Sequence, residues 1–147
     1  RVKEDPLKTK YTVKFKDPTK IKILPWDIVE IEEGPAGLLL IHRTVFEKLM
    51  DKHPELKINF EESAREKMNK EIGASGDAIK QYMYNFWDTT FNLKTGVWKG
   101  EDLSFCQRAK EAGFKLYANL DSTTVHHGTW GWRGRFGDTI KTNKEDK

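Results

Sequence analysis

The chain has 147 residues, room for one modest domain. Hydrophobic residues make up 37% and aromatics 12%, which excludes a disordered composition, and 5 Trp and 8 Phe predict rings that line a surface as well as a core. Lys and Arg number 26 against 23 Asp and Glu, a net charge of +3, and this balance argues against dedicated nucleic-acid binding, which needs a concentrated basic face.

The amino-terminal end is basic, with Lys at 3, 8, 10, 14, 16, 20 and 22. That pattern suits a solvated, Lys-guarded edge strand or a surface for phosphate or acidic glycan. Residues 11–15 alternate apolar and polar, Asp17-Pro18 reads as a turn, and residues 21–23 resume the alternation, so a hairpin is expected. Pro25-Trp26-Asp27 breaks it, and residues 28–32 form a further strand. The loop 33–37, with Gly34 and Gly37 around Pro35-Ala36, is either a plain turn or a place where backbone approaches a ligand closely. Residues 38–41, LLLI, read as a strand buried on both faces.

Thr44 with Glu47 forms a capping-box pattern for a helix that stops near His53-Pro54. Residues 61–72 have helical propensity with few apolar positions, and 73–76 form a loop, so this middle segment is a surface excursion. Residues 79–91 are aromatic and mostly strand-like, with Asp88 placed either to hold an acceptor hydroxyl or to begin the turn at Thr89. A turn spans 92–96. The clearest helix is 102–112, with an apolar stripe of Leu103, Cys106 and Ala109 and Gly113 as its stop. Strands at 114–118 and 123–127 follow, and the polar tail from Thr139 is expected to fray. The fold class is α/β or α+β, a mixed sheet with flanking helices, with residues 1–138 as one domain.

Cys106 is the single cysteine, which rules out an intramolecular disulfide and a Cys-rich zinc site and fits a reducing compartment. No apolar run has the length of a membrane span, and RVKED opens without a signal-peptide pattern, so a cytoplasmic protein is expected.

Three further segments carry chemistry. Glu101 and Asp102 stand at a helix start, where the dipole favours negative charge, and serve there either as ordinary capping acids or as a general base aimed into a cleft. In His126-His127-Gly128 at most one imidazole faces a given cleft, as part of a divalent-cation shell or as a plain core or surface histidine. In TWGWRGRF, residues 129–136, Trp130, Trp132, Arg133 and Arg135 suit sugar stacking and phosphate binding, or a Trp-anchored loop that seals the core.

The order of these segments resembles that of GT-A-type glycosyltransferases. GPAGLLLIHRTVFEKL supplies a Gly-rich loop, an apolar strand and a Val-Phe-Glu helix. YNFWDTTF supplies an aromatic-Asp segment. EDLSFCQR opens a helix on an acidic pair, and His126-His127-Gly128 ends a strand. The likeness covers roughly residues 28–136, and members encoded by large-genome phages and other viruses look similar. The resemblance implies an inverting transfer from a nucleotide-sugar to a glycan, lipid or protein acceptor. Asp102 is then the base, with Glu101 as the alternative. His126 contributes to a Mn²⁺ or Mg²⁺ site. Trp130, Trp132 and Arg133 lie on a flexible loop over the donor diphosphate. Ala36, Gly37, Trp87 and Asp88 lie on the acceptor side. The family's Asp-x-Asp motif is absent from these residues, so the chain is expected to be the acceptor and catalytic portion of a longer enzyme. The alternatives are a non-catalytic glycan-binding module and a basic nucleic-acid-interaction domain.

Overall fold

The computed structural model describes residues 2–4, 11–72, 75–127 and 131–140, of which 2–4, 72, 75–77, 126 and 132 are described by backbone alone. In chain order the elements are β1 (Val2–Glu4), β2 (Ile23–Leu24), β3 (Ile28–Ile31), α1 (Arg43–Lys52), α2 (Glu62–Ile72), α3 (Ser75–Lys80), β4 (Thr90–Asn92), β5 (Val97–Lys99), α4 (Glu101–Glu111), β6 (Leu116–Asn119), β7 (Thr123–His127) and β8 (Gly131–Arg135). The class is α+β. The strands form three small sheets, ordered β1-β8-β7, β2-β3-β6 and β4-β5. One of these is mixed, because β1 runs parallel to β8 while β7 runs antiparallel to it. No helix among the described residues is long and apolar enough to cross a membrane.

The chain forms two compact units, a subdivision that the sequence reading of one domain does not draw. One comprises Arg1–Pro35 with Lys115–Lys147, the other Ala36–Phe114.

The first unit is built on β3. Val29, Ile31 and Leu120 form its buried centre, with Val13, Phe15, Ile21, Phe136 and Ile140 packed around them. The expected hairpin between 11–15 and 21–23 does not form. Asp17-Pro18 does turn the chain, and Lys20 N–H donates to Asp17 O at 3.1 Å. Lys14, however, pairs with Glu33, and Ile23–Leu24 pairs with Ile28–Val29. A strand's alternation shows that it has a buried face, not which neighbour it pairs with. The 131–135 segment is also different from expectation. It is strand β8, bonded on both sides, not a loop. Thr139 closes a short 3-10 turn and Ile140 packs on the core, so the first two residues of the polar tail are structured. Gly137 is required there, since a Cβ would come within 2.8 Å of Leu120 O.

The second unit packs α1 against α4. Val45 and Leu49 from α1 are buried, as are Phe105, Cys106 and Ala109 from α4 and Phe86 between them in sequence. The cap of α1 is His42, whose Nδ1 sits 2.9 Å from Thr44 Oγ1, whereas Glu47 pairs with Arg43 at 2.8 Å. Thr44 lies inside the helix, so the capping box is replaced by an i,i+4 ion pair. Residues 38–41 form no strand, with Leu38 83% and Leu40 99% exposed. A run of four apolar residues needs a partner strand to bury it, and the neighbouring strands pair elsewhere. Of residues 79–91, Ile79 and Lys80 belong to α3, Tyr84 makes an isolated bridge to Lys57, and only Thr90 and Phe91 enter a strand; Ser75 and Gly76, expected as loop, also belong to α3.

Tyr11 packs its ring on Phe136 at 5.3 Å, while its hydroxyl is buried without a hydrogen-bond partner among the described residues. Burial, and then Asp138 nearby, push this hydroxyl's pKa up. A folded pKa above the unfolded value of about 10 contributes stability that is complete below that pH and lost as pH rises through the folded pKa. Tyr11→Phe keeps the ring contact and removes the unsatisfied group. Urea unfolding is expected to show no loss at pH 7, a gain of about 1 kcal/mol, and a weaker fall in stability above about pH 10.

Candidate functional site

The best-defined polar framework among the described residues lies in the second unit, at α4. The helix starts at Glu101 because Gly100 takes an extended cap conformation (φ −65°, ψ 171°), and it stops where Gly113 adopts φ +92°. Apolar Phe105, Cys106, Ala109 and Ala112 face inward. Phe105 stacks on Trp87 with centroids 4.3 Å apart and planes 16° apart, and Phe46 tilts against both Phe86 and Phe105.

Arg108, only 7% exposed, lies in this packed region. Its Nη1 donates to Phe86 O at 3.1 Å and to Asp88 O at 2.8 Å. Two carbonyls that would otherwise be orphaned by the turn at 86–88 are thereby satisfied by one charged donor. One turn earlier, fully buried Ser104 bonds Thr90 Oγ1 at 2.9 Å and donates to Lys99 O at 3.2 Å. Both strands of the β4–β5 hairpin are therefore tied to α4. The hairpin turn is closed by Asn92 Oδ1, which accepts from Lys94 and Thr95 N–H, and by Gly96 at φ +66°.

This framework holds four of the sequence-derived site residues. Trp87 is stacked and Asp88 is clamped through its backbone. Glu101 is exposed and Asp102 half-buried in the first turn of α4. The cap is Gly100, so neither acid caps the helix, and neither carboxylate forms a hydrogen bond or ion pair among the described residues. Trp98, 62% exposed, lies 3.9 Å from where a Cβ on Gly100 would stand, beside the acid pair. Ala36 and Gly37 belong to the same unit. Gly37 is exposed, and a Cβ there would meet nothing within 4 Å, so close backbone approach does not require glycine at that position.

The other candidates belong to the first unit. His126 lies on β7 opposite Trp132 on β8, and Arg133 pairs with Val125 and Glu4. The side chains of His126 and Trp132 lie outside the described residues, as does all of Trp130. Arg133 is exposed. The strand pairing of 131–135 replaces the flexible loop that the resemblance implies for Trp132 and Arg133. Among the described residues no three His, Cys, Asp or Glu side chains gather as a cation site. Compared with family models, with curated proteins and with solved structures, the chain matches none.

Sequence reasoning gave no role to Arg108, Ser104 or the pair His53–Glu55. His53 Nδ1 lies 2.9 Å from Glu55 Oε1. The Glu55 backbone N–H, and then His53, hold this carboxyl below the usual range, with a smaller contribution from the Arg108 charge. The signal for Arg108 was present: a charged residue beside the apolar stripe of a helix must find acceptors once that stripe packs. Arg108→Met removes both carbonyl bonds and is expected to lower stability by about 3 kcal/mol, read from the urea midpoint, with Arg108→Lys recovering only part.

Proposed function

We propose that this chain is the acceptor and catalytic portion of a GT-A-type glycosyltransferase, inverting and metal-dependent, with Asp102 as its base. The observation that carries the reading is the first turn of α4: two adjacent acids that neither cap nor pair among the described residues, on a helix whose Ser104 and Arg108 are engaged in tying down neighbouring segments. An idle acid pair at a fixed helix start is what a general base requires, a proton acceptor held in place by its scaffold without being neutralised by it. The exposed Trp98 ring beside Gly100, and Trp87 and Asp88 on the segment clamped by Arg108, support an acceptor side made of aromatic faces and a carboxylate.

In the reaction the acceptor hydroxyl gives its proton to the Asp102 carboxylate as its oxygen forms the new bond to the anomeric carbon. The bond from that carbon to the nucleoside diphosphate breaks, and the diphosphate leaves with the electron pair. The Mn²⁺ or Mg²⁺ implied by the resemblance would supply charge neutralisation at that leaving group. His126 is the residue that the resemblance implies as one of its ligands. Glu101, more exposed, would orient the acceptor.

A non-catalytic glycan-binding module is the second reading, favoured by the exposed Phe91 and Trp98, which face each other across the β4–β5 pair. The two separate on turnover. The whole gene product, supplied with nucleotide-sugars and Mn²⁺, is expected to release nucleoside diphosphate in the presence of acceptor. Asp102→Asn should lower that rate by about 10²–10⁴-fold and Glu101→Gln by much less. An Asp102→Asn variant with undiminished turnover removes Asp102 from the role.

A further inference from the structure

We infer that the second unit carries a binding recess for an uncharged sugar, on the side of α4 turned away from Asp102. The recess is open, has a volume of about 450 Å³, and is lined by residues that include His53, Glu55, Asp88, Phe91, Gln107 and Arg108. That volume is at the small end of ligand sites, which run from about 300 to 1,000 Å³. At about 100° per helical residue, Ser104, Gln107, Arg108 and Glu111 share one face of α4, and Asp102 projects from roughly the opposite side. The recess shares Asp88 with the proposed acceptor side but does not include Asp102, so its occupation is read by direct binding and not through turnover.

Its chemistry selects the ligand class. At the floor, Arg108 is more than nine-tenths buried and spends only Nη1 on protein carbonyls, while Nε and Nη2 form no hydrogen bond among the described residues. His53 is oriented by Glu55. A carboxylate held ionised can only accept, so Nδ1 carries the proton. Nε2 is left buried with no partner among the described residues, a group that costs stability until something satisfies it. Glu55, Asp88 and Glu111 also line it, with the Gln107 amide donating to Glu111 at 2.8 Å.

The three carboxylates repel an anion from the unfilled Arg108 edge. Arg108 at the floor offsets one of those charges and offers a cation no acceptor of its own. A ring bearing hydroxyls meets both demands, because each hydroxyl donates to a carboxylate or accepts from the guanidinium without bringing charge. Phe91, 56% exposed at the rim, offers the flat apolar face against which a sugar's C–H side packs.

The test is an NMR titration of the chain with the methyl glycosides of glucose, galactose, mannose and N-acetylglucosamine, with inorganic phosphate and spermidine as charged probes. Saturable shifts confined to residues 53–56, 88–91 and 104–111 are expected for at least one glycoside. Phe91→Ala and Glu55→Gln, both at exposed positions, should each weaken that binding by about tenfold, and Asp102→Asn should leave it unchanged. The proposal is overturned if no glycoside produces saturable shifts at those residues up to concentrations on the order of tens of millimolar. It is equally overturned if Phe91→Ala and Glu55→Gln leave binding intact, or if phosphate or spermidine occupies the recess in preference to every glycoside.

Discussion

Arg108 sets the terms for the whole second unit. Its guanidinium cannot shed its proton, and burial of a bare charge is too costly to persist, so acceptors had to be brought to it. They are the carbonyls of Phe86 and Asp88, on a segment with no regular secondary structure of its own to satisfy them. The clamp works in both directions. It lets α4 keep a charge on its inner side, and it gives the 86–88 turn a rigid neighbour. The Trp87–Phe105 stack is a consequence, because the chain around Trp87 is pinned over the helix on both sides.

The same constraint divides α4 by face. Its inner face is apolar and packs on α1 and Phe86. The face of Ser104, Gln107, Arg108 and Glu111 is polar and meets the 88–91 segment and the His53–Glu55 corner. The first turn is spared both duties. With glycine as the cap, the acids that follow are not consumed by local hydrogen bonding, as an Asp or Ser cap would be. The β4–β5 hairpin, tied down through Ser104, sets Trp98 beside that turn. Chemistry and recognition would thus share one scaffold, the catalytic acid at the helix end and the sugar recess along its side.

The first unit is held by different means. Val29, Ile31 and Leu120 make a small core, and the chain closing it is fastened by charge: Arg135 Nε and Nη2 donate to Asp138 Oδ1 at 3.0 and 2.7 Å, and Nη1 to Asp121 Oδ1 at 2.8 Å. A fork of this kind supplies direction that a core of a few aliphatic residues lacks. Lys115 and Glu30, 2.9 Å apart, bridge the β3–β6 pair on its exposed face.

The α4 helix was legible from its sequence because every local signal agreed: an apolar stripe at helical spacing, acids at the start, basic residues in the last turn and a glycine stop in the left-handed region. The α+β class followed from the same kind of local evidence, and so did α2 and the strands around 116–119 and 123–127. What the sequence could not decide was pairing and exposure. The LLLI run has the composition of a buried strand, yet Leu38 and Leu40 stay in solvent and no strand among the described residues pairs with the run. Residues 11–15 bond near Glu33 rather than to residues 21–23. Residues 131–135, read as part of a loop, become the middle strand of a sheet. The role of Arg108 and the recess over it depend on carbonyls 20 and 22 residues away in sequence. Helix periodicity, capping and turn chemistry act within a few residues, so a sequence determines them by itself. Which edge a strand joins, which carbonyl a buried cation reaches and which apolar run is left outside depend on distant segments competing for the same partners, and only the tertiary structure settles that competition.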